Sequence, residues 1–285
     1  MTEDRYSNQQ FSSKDIVDLM PAMKVGILAT VTPQGLPHLT LITTLMASSP
    51  SRVVWGQFME GSSKEHIQSN PKTGFFIMSL NKDFWRGKAN YEHPARDGKD
   101  YDFYNNTPLF RYNSYFGVHT VHYMDLIAHS GKHPLPMNRI IFAAVKTMIG
   151  RTLAGKRSKV VVMNPWTQAF FTKLDNLKYL SYIGADGYPV IIPLIQAQAL
   201  DAEHLAFSLG AFGDEIAEIP VGADIAVFGM ALTMEDVLVR GKFLGVQRLA
   251  GLKCGVAAVN WVYNSMPPTP MQIYPEVALS PVTEF

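Results

Sequence analysis

The amino-acid sequence predicts a mainly β protein, built from two small barrels in tandem. Three observations carry this reading. Residues 26–42, GILATVTPQGLPHLTLI, return in outline as residues 178–194, KYLSYIGADGYPVIIPL; each is an apolar strand pattern, a Gly-x-Pro turn (Gly35 and Pro37; Gly187 and Pro189) and a second apolar strand. Further along, FWRGKA from Phe84 recurs as LVRGKF from Leu238, and Gly117–Tyr123 recurs as Gly255–Trp261, in the same order. The length, 285 residues, suits two domains of ordinary size. A period of about 150 residues means a barrel-sized unit copied once, not a solenoid.

The elements follow in order. Ser12-Ser13 ahead of Lys14–Met20 is an N-cap and short amphipathic helix ending near Pro21. Val25–Val31 and Pro37–Thr44 are β-rich and flank the turn Thr32-Pro33-Gln34-Gly35. Pro37 stands at the start of its strand, where a missing N–H is tolerated. Val53–Phe58 is a third strand, Lys64–Ser69 a short helix stopped by Asn70-Pro71, and Gly74–Leu80 a fourth strand. Trp85–Tyr91 is a fifth, and Phe116–His129 contains a sixth. Tyr91–Leu109, with its acids, Pro and Gly, reads as an insertion loop.

The second copy repeats that order. It has a helix opened by Asn164-Pro165-Trp166, strands at His204–Ser208, Asp224–Met230, Val237–Gly245 and Gly255–Val262, and a degenerate helix at Gly213–Ile219. Between the copies, Ile140, Ile141, Ala144, Val145, Met148 and Ile149 fall at helical spacing. The expected domains are therefore 1–136, a connecting helix and linker over 137–163, and 164–285.

Composition excludes several classes. With 47% hydrophobic and 17% charged residues there is enough for two cores, and the net charge of +1 gives no reason to expect nucleic acid. The single cysteine, Cys254, rules out an intrachain disulfide framework and a Cys-cluster metal site. The opening MTEDRYSNQQ carries both charge signs, unlike a signal peptide, and apolar runs stay well short of the roughly 18–20 residues of a membrane span. The expectation is a cytoplasmic protein with no membrane partner.

The local candidate for chemistry is Phe58-Met59-Glu60-Gly61-Ser62-Ser63-Lys64. A strand ends, two hydroxyls and free backbone N–H groups converge, and a helix begins with a lysine in its first turn. A helix N-terminus so furnished is a natural phosphate site. Taken alone, the segment reads first as a Ser-capped helix with an exposed lysine; the order of elements around it shifts the reading. Leu28-Ala29-Thr30-Val31, Gly35-Leu36-Pro37-His38, Ser62-Ser63-Lys64, Asn70-Pro71 and the strand containing Gly87 together resemble the FMN-binding split-barrel family, the pyridoxamine 5′-phosphate oxidase-like proteins. The resemblance covers residues 13–130 well and 165–265 more weakly.

That resemblance implies two fused six-stranded Greek-key split barrels forming an internal pseudo-dimer, with flavin in the cleft between them. It implies a phosphate held by Ser62, Ser63 and Lys64 together with Thr40, Thr43 and Thr44 of the strand. The oxidase has an arginine and a lysine where this chain has Thr40 and Leu45, which argues against pyridoxamine phosphate oxidation itself. The expected function is an FMN-dependent oxidoreductase with one flavin per chain, a small-molecule substrate and an electron donor such as NADH or NADPH, with a homodimer left open. The alternative is a non-catalytic protein that binds haem, deazaflavin or flavin in the same place.

In the second copy Gly213-Asp214-Glu215-Ile216 replaces Gly61-Ser62-Ser63-Lys64, and two carboxylates would repel a phosphate. Arg240, Cys254 and Trp261 are candidates to close over the ring, each more readily structural. His119, His122, His129 and His133 lie close in sequence, but a strand sends His119 and His122 to opposite faces. No metal site and no obligatory acid or base is expected. From Leu126 to Leu174 there is no acidic residue but eight Lys or Arg. Such a stretch suits an anionic partner or a membrane surface, and more commonly the solvated face of a linker helix.

Overall fold

The structure is a computed structural model and describes residues 5–58, 61–108, 117–154, 158, 160–231, 233, 235–264 and 271–278. Two compact units result: residues 1–135 with 184–191, and residues 136–183 with 192–285.

In the first, Ser12 caps α1 (Ser13–Leu19) through a capping box, its side chain accepting from Asp15 N while Asp15 reaches back to the Ser12 N–H. The strands are β1 (Lys24–Val31), β2 (Pro37–Leu41), β3 (Met46–Ser49), β4 (Arg52–Gln57), β5 (Lys72–Ser79), β6 (Asp83–Ala95), β7 (Thr120–His129) and β8 (His133–Pro134). Helix α2 (Ser62–Ser69) joins β4 to β5, and α3 (Lys99–Asn106) joins β6 to β7. The stretch 91–109 is thus no plain loop: β6 runs on to Ala95, and Asp100 and Asp102 favour a helix from their places in the first turn of α3.

The sheet order is β2-β1-β5-β6-β7-β4-β3, with β8 on β6. Leu28, Val53, Trp55, Phe75, Ile77, Trp85, Met124 and Leu126 meet in one core, which Leu19 and Ile67 close. Five strands of one sheet can share a core only if the sheet wraps around it, as in a barrel.

The second unit opens with α4 (Met137–Ala154) and α5 (Pro165–Thr172), capped by Asn164. The strands of its sheet are β9 (Leu177–Ile183), β10 (Pro189–Pro193, whose first three residues are counted in the first unit), β11 (Gln198–Ala199), β12 (His204–Ser208), β13 (Asp224–Met230), β14 (Asp236–Leu249), β15 (Leu252–Asn264) and β16 (Met271–Tyr274), with α6 (Gly213–Ala217) between β12 and β13. The sheet order is β10-β9-β13-β14-β15-β12-β11, position for position that of the first sheet, with β16 on β15. Each sheet has eight strands rather than the expected six. The extra ones are short: β3, β8, β11 and β16 have four, two, two and four residues.

The repeat is legible bond by bond in the hairpins. Gly35 N bonds Thr32 O and Gly187 N bonds Gly184 O; Ile42 N bonds Gly26 O and Leu194 N bonds Lys178 O; Leu45 N bonds Ile42 O and Ala197 N bonds Leu194 O. Each pair is 152 positions apart, and Gly35 and Gly187 share a positive φ (78° and 81°) that the turn requires. The third sequence block does not hold this register. Gly255 lies inside β15 opposite Phe207, whereas Gly117 precedes β7. The bulges after Lys88 in β6 and after Arg240 in β14 stand 152 positions apart like the hairpins, but the residues they face, Ala128 and Trp261, are only 133 apart, because the first copy has 19 more residues between these strands, in the stretch that includes α3.

Lysines, Lys24 half-buried and Lys178 fully buried, tie strand to helix in both units. Lys24 Nζ donates to Leu19 O, and Lys178 Nζ to Lys173 O, each at 2.6 Å, answering carbonyls that a helix C-terminus leaves open. Burial pushes both ammonium groups down to about 7. Within the first unit, residues 184–191 are held by Lys88 Nζ to Asp186 Oδ2, Arg86 Nη1 to Ile191 O (3.0 Å) and Tyr188 Oη to Asn90 Oδ1 (2.9 Å).

Candidate functional site

Thr30, His38 and Thr40 share one face of the first hairpin: β1 and β2 place Thr30 opposite His38, and Thr40 follows two residues on. Helix α2 lies on that face. Ser63 Oγ sits 2.6 Å from Thr40 Oγ1, and one turn later His66 Nδ1 sits 3.0 Å from Thr30 Oγ1. The His66 ring meets His38 edge-on at 4.8 Å. Thr30, His38, Ser63 and His66 are all buried, so the helix is seated by a polar seam, while Ile67 turns into the core. Such a seam is tolerable only because its groups pair with one another.

The start of α2 departs from the Ser-capped alternative. Gly61 is the N-cap in extended backbone, and no side chain among the described residues caps the helix. A Cβ added at Gly61 would meet nothing within 4 Å. Open donors and open space therefore coincide where a phosphate would need both. Met59 and Glu60 lie outside the described residues.

The structure brings Thr40, Ser62, Ser63 and Lys64 together at this end of α2. Thr43 lies half-buried in the turn before β3. Thr44 is buried and committed elsewhere: its hydroxyl donates to Gly56 O (2.8 Å) and accepts from Gly56 N (3.1 Å), and its carbonyl accepts from Tyr104 Oη. It ties the turn to β4.

Lys64 leads to a second group. Its charge bears on His122, a buried imidazole on β7 that burial first and Lys64 next push down to about 4. His122 Nε2 lies 2.8 Å from Gln57 Oε1, and its ring stacks on Trp55 at 3.9 Å, directly across the β4–β7 pair. Neutral imidazole facing a carbonyl oxygen carries its proton on Nε2, which leaves Nδ1 an acceptor. His122 Nδ1 and Trp55 Nε1 are both buried with no hydrogen-bond partner among the described residues.

The other histidines disperse. His119 turns to Thr120, His129 to Gln10 O and Gly131 N, and exposed His133 to Ser130 O. Among the described residues no three His, Cys, Asp or Glu side chains gather as metal ligands. Of the three closing candidates, Cys254 is buried, with its thiol pushed up to about 11. Arg240 lies 3.6 Å over the Trp261 ring, whose Nε1 donates to Gln272 Oε1. Sequence reasoning missed His38, His66, Trp55 and Gln57. The signal was the spacing, since His38 and Thr40 are two apart on a strand and Ser63 and His66 three apart on a helix. A separate groove of about 500 Å³ beside α1, lined by Lys24, Asp83 and Lys132 among others, includes none of these residues.

No family model matches the chain, and no curated protein matches it. Solved structures do. The chain is similar to an FMN-binding protein from Syntrophomonas wolfei (13% identity, TM-score 0.36, covering 43% of this chain and 86% of that one). It is similar to an F420 reductase (15%, 0.32, 42% and 98%) and to a FAD-binding protein from Mesorhizobium loti (16%, 0.30, 42% and 94%). The likeness is one of fold.

Proposed function

We propose that this chain is a flavin-binding oxidoreductase of the split-barrel type, with FMN as its cofactor and one flavin site, in the first copy. One observation carries the reading. The hydroxyls of Thr40 and Ser63 meet at 2.6 Å beside the side-chain-uncapped start of α2, with Lys64 in the same turn. The two elements that the family resemblance names for phosphate, strand and turn, are thus one place. The similar structures, an FMN-binding protein, an F420 reductase and a FAD-binding protein, agree with it.

In this reading the α2 amides and Ser62 donate to the phosphate, and Lys64 supplies the positive charge. Thr40 and Ser63 share one proton between them and offer the other outward. Bound flavin supplies the hydride or electron transfer; the protein positions it and tunes its surroundings. The donor is a reduced nicotinamide.

The test is a visible spectrum of the purified chain, followed by FMN titration. Flavin absorbance bleached by NADH or NADPH, at one equivalent per chain, is the expected result. A chain that takes up neither FMN nor FAD overturns it. Flavin that binds but is never reduced leaves a carrier rather than an oxidoreductase.

A further inference from the structure

Helix α4 has two apolar faces. Ile140, Ala143, Ala144, Thr147 and Gly150 are buried against the second sheet, with Ser208 Oγ donating to Ala143 O and Ser208 N to Thr147 Oγ1, both at 2.9 Å. A Cβ on Gly150 would come within 3.3 Å of Leu249 Cβ, and one on Gly210 within 3.1 Å of Ala143 Cβ, so the helix is seated closely. The opposite face is exposed, yet as apolar as a core: Ile141, Phe142, Val145, Met148, Ile149 and Leu153 are 43–70% accessible. These spacings draw one continuous stripe along the helix. Contiguous exposed apolar surface of this kind marks a docking face.

Charge identifies the partner. Lys146 and Arg151 flank the stripe on its two sides, with Lys146 Nζ 5.6 Å from the Phe142 ring centroid. From residue 126 to residue 174 eight Lys or Arg stand without a single acid. A second copy docked here symmetrically would set these cations against themselves. The stripe is also too small for it: a helix about 27 Å long and about 10 Å wide offers roughly 270 Å², against roughly 800 Å² per partner in a stable complex. An anionic lipid surface answers both needs, with hydrocarbon for the stripe and negative headgroups for its flanks.

We propose that α4 docks this protein on an anionic membrane surface, lying in the plane of the interface. No described helix is long and apolar enough to cross a membrane, so the attachment is peripheral. This proposal departs from the expectation of no membrane partner drawn from composition.

The experiment is co-sedimentation of the full chain with vesicles of phosphatidylcholine alone or mixed with phosphatidylglycerol, alongside sedimentation equilibrium without lipid. Binding to the mixed vesicles only, weakening with salt, is expected. Phe142→Ser with Leu153→Ser, and separately Lys146→Glu, should each lower the partition by about tenfold or more. Because these side chains are exposed, thermal midpoints should stay at the parent value; if the double variant fails to fold, Lys146→Glu decides alone. Equal binding to both vesicle types, or to neither, overturns the proposal. So does a lipid-free dimer that the same substitutions dissociate, which would give the face to a second copy.

Discussion

Two short helices hold the same place in the element order, α2 between β4 and β5 and α6 between β12 and β13, and the residues at matching positions differ in chemistry. Under α2 lie Thr30, His38 and Thr40, met by Ser63 and His66. The positions 152 residues on from the three strand groups are Tyr182, Val190 and Ile192, all buried, and the buried side chain of α6 is Ile216. The first set is polar and the second almost wholly apolar. The turn residues differ in the same sense: Ser62, Ser63 and Lys64 against Asp214, Glu215 and Ile216. An apolar seam holds a helix more cheaply, because no group must find a partner. Retention of a polar seam in one copy only is what a ligand-binding copy and a scaffolding copy would show.

The contrast extends into the barrels. Trp55 stands opposite His122, and the residue in the place of Trp55, Phe207, stands opposite Gly255. A Cβ on Gly255 would lie 2.3 Å from the Phe207 ring, so that ring fills the space an imidazole takes in the first copy. The largest expected effect follows. Gly255→His should destabilise the chain by about 3 kcal/mol or more, since overpacking a closed core forces neighbours aside. Adding Phe207→Ala should recover part of that loss. Urea midpoints decide it; an unaffected Gly255→His variant would break the equivalence of the two strand pairs.

The pH dependence of the first copy tests the same comparison. The His122 pKa is pushed down to about 4 in the folded chain, against about 6.5 unfolded. Between those values the unfolded chain binds the extra proton, so stability falls as pH drops through this window. The contribution is up to about 3 kcal/mol. His129 is shifted the same way, mainly by burial, and adds to the slope. His122→Gln should keep its stability better than the parent between pH 6.5 and 4, and parallel profiles would show that His122 is not the group responsible.

Much of this was legible in the sequence, for physical reasons that also mark where legibility ended. The hairpins were readable because a Gly-x-Pro turn allows few strand registers, and a constant shift of 152 survives in their hydrogen bonds. The α1 capping box was readable because both partners are local. Helix α3 was missed because its acids and flanking Gly98 look like loop composition. The third repeat block was mismatched because the extra stretch around α3 in the first copy cuts the offset from 152 to 133 in the last strands, and local likeness does not reveal its length. In the site, Ser62, Ser63, Lys64 and Thr40 were read from a motif, but Thr44 turned out to be bonded to Gly56. Spacing puts His38 on the face of Thr40 and His66 on the face of Ser63, but that the two faces meet is decided by tertiary packing.

Next in size is the phosphate contact. Lys64→Ala should weaken FMN binding by tenfold to a hundredfold, the equivalent of roughly 1.5–3 kcal/mol for a charge-assisted bond, and leave riboflavin binding nearly unchanged. Lys253→Ala, an exposed lysine of the second copy, is the control. If FMN and riboflavin lose affinity together, the substitution has disturbed the seam and not a phosphate contact. Asp214→Ser with Glu215→Ser should still leave one FMN per chain, because α6 has only five residues and the strand positions matching His38 and Thr40 hold Val190 and Ile192, which have no hydroxyl.

The smallest effect isolates what the polar seam contributes. Thr40→Val keeps the shape of the side chain and removes the hydroxyl that meets Ser63. A single neutral hydrogen bond is worth about 1 kcal/mol net, and Thr40 is half-buried, so water can serve the freed Ser63 hydroxyl in part. Stability should therefore fall by about 1 kcal/mol or less, while FMN affinity falls by about fivefold, since the remaining Ser63 hydroxyl is no longer held and aimed by Thr40. Ile192→Thr, at the matching place in the second copy, should instead cost about 1–3 kcal/mol, because a buried hydroxyl is added with no seam to receive it. Equal and small losses at both positions would mean that the two seams are interchangeable. The polar residues under α2 would then be incidental to any ligand.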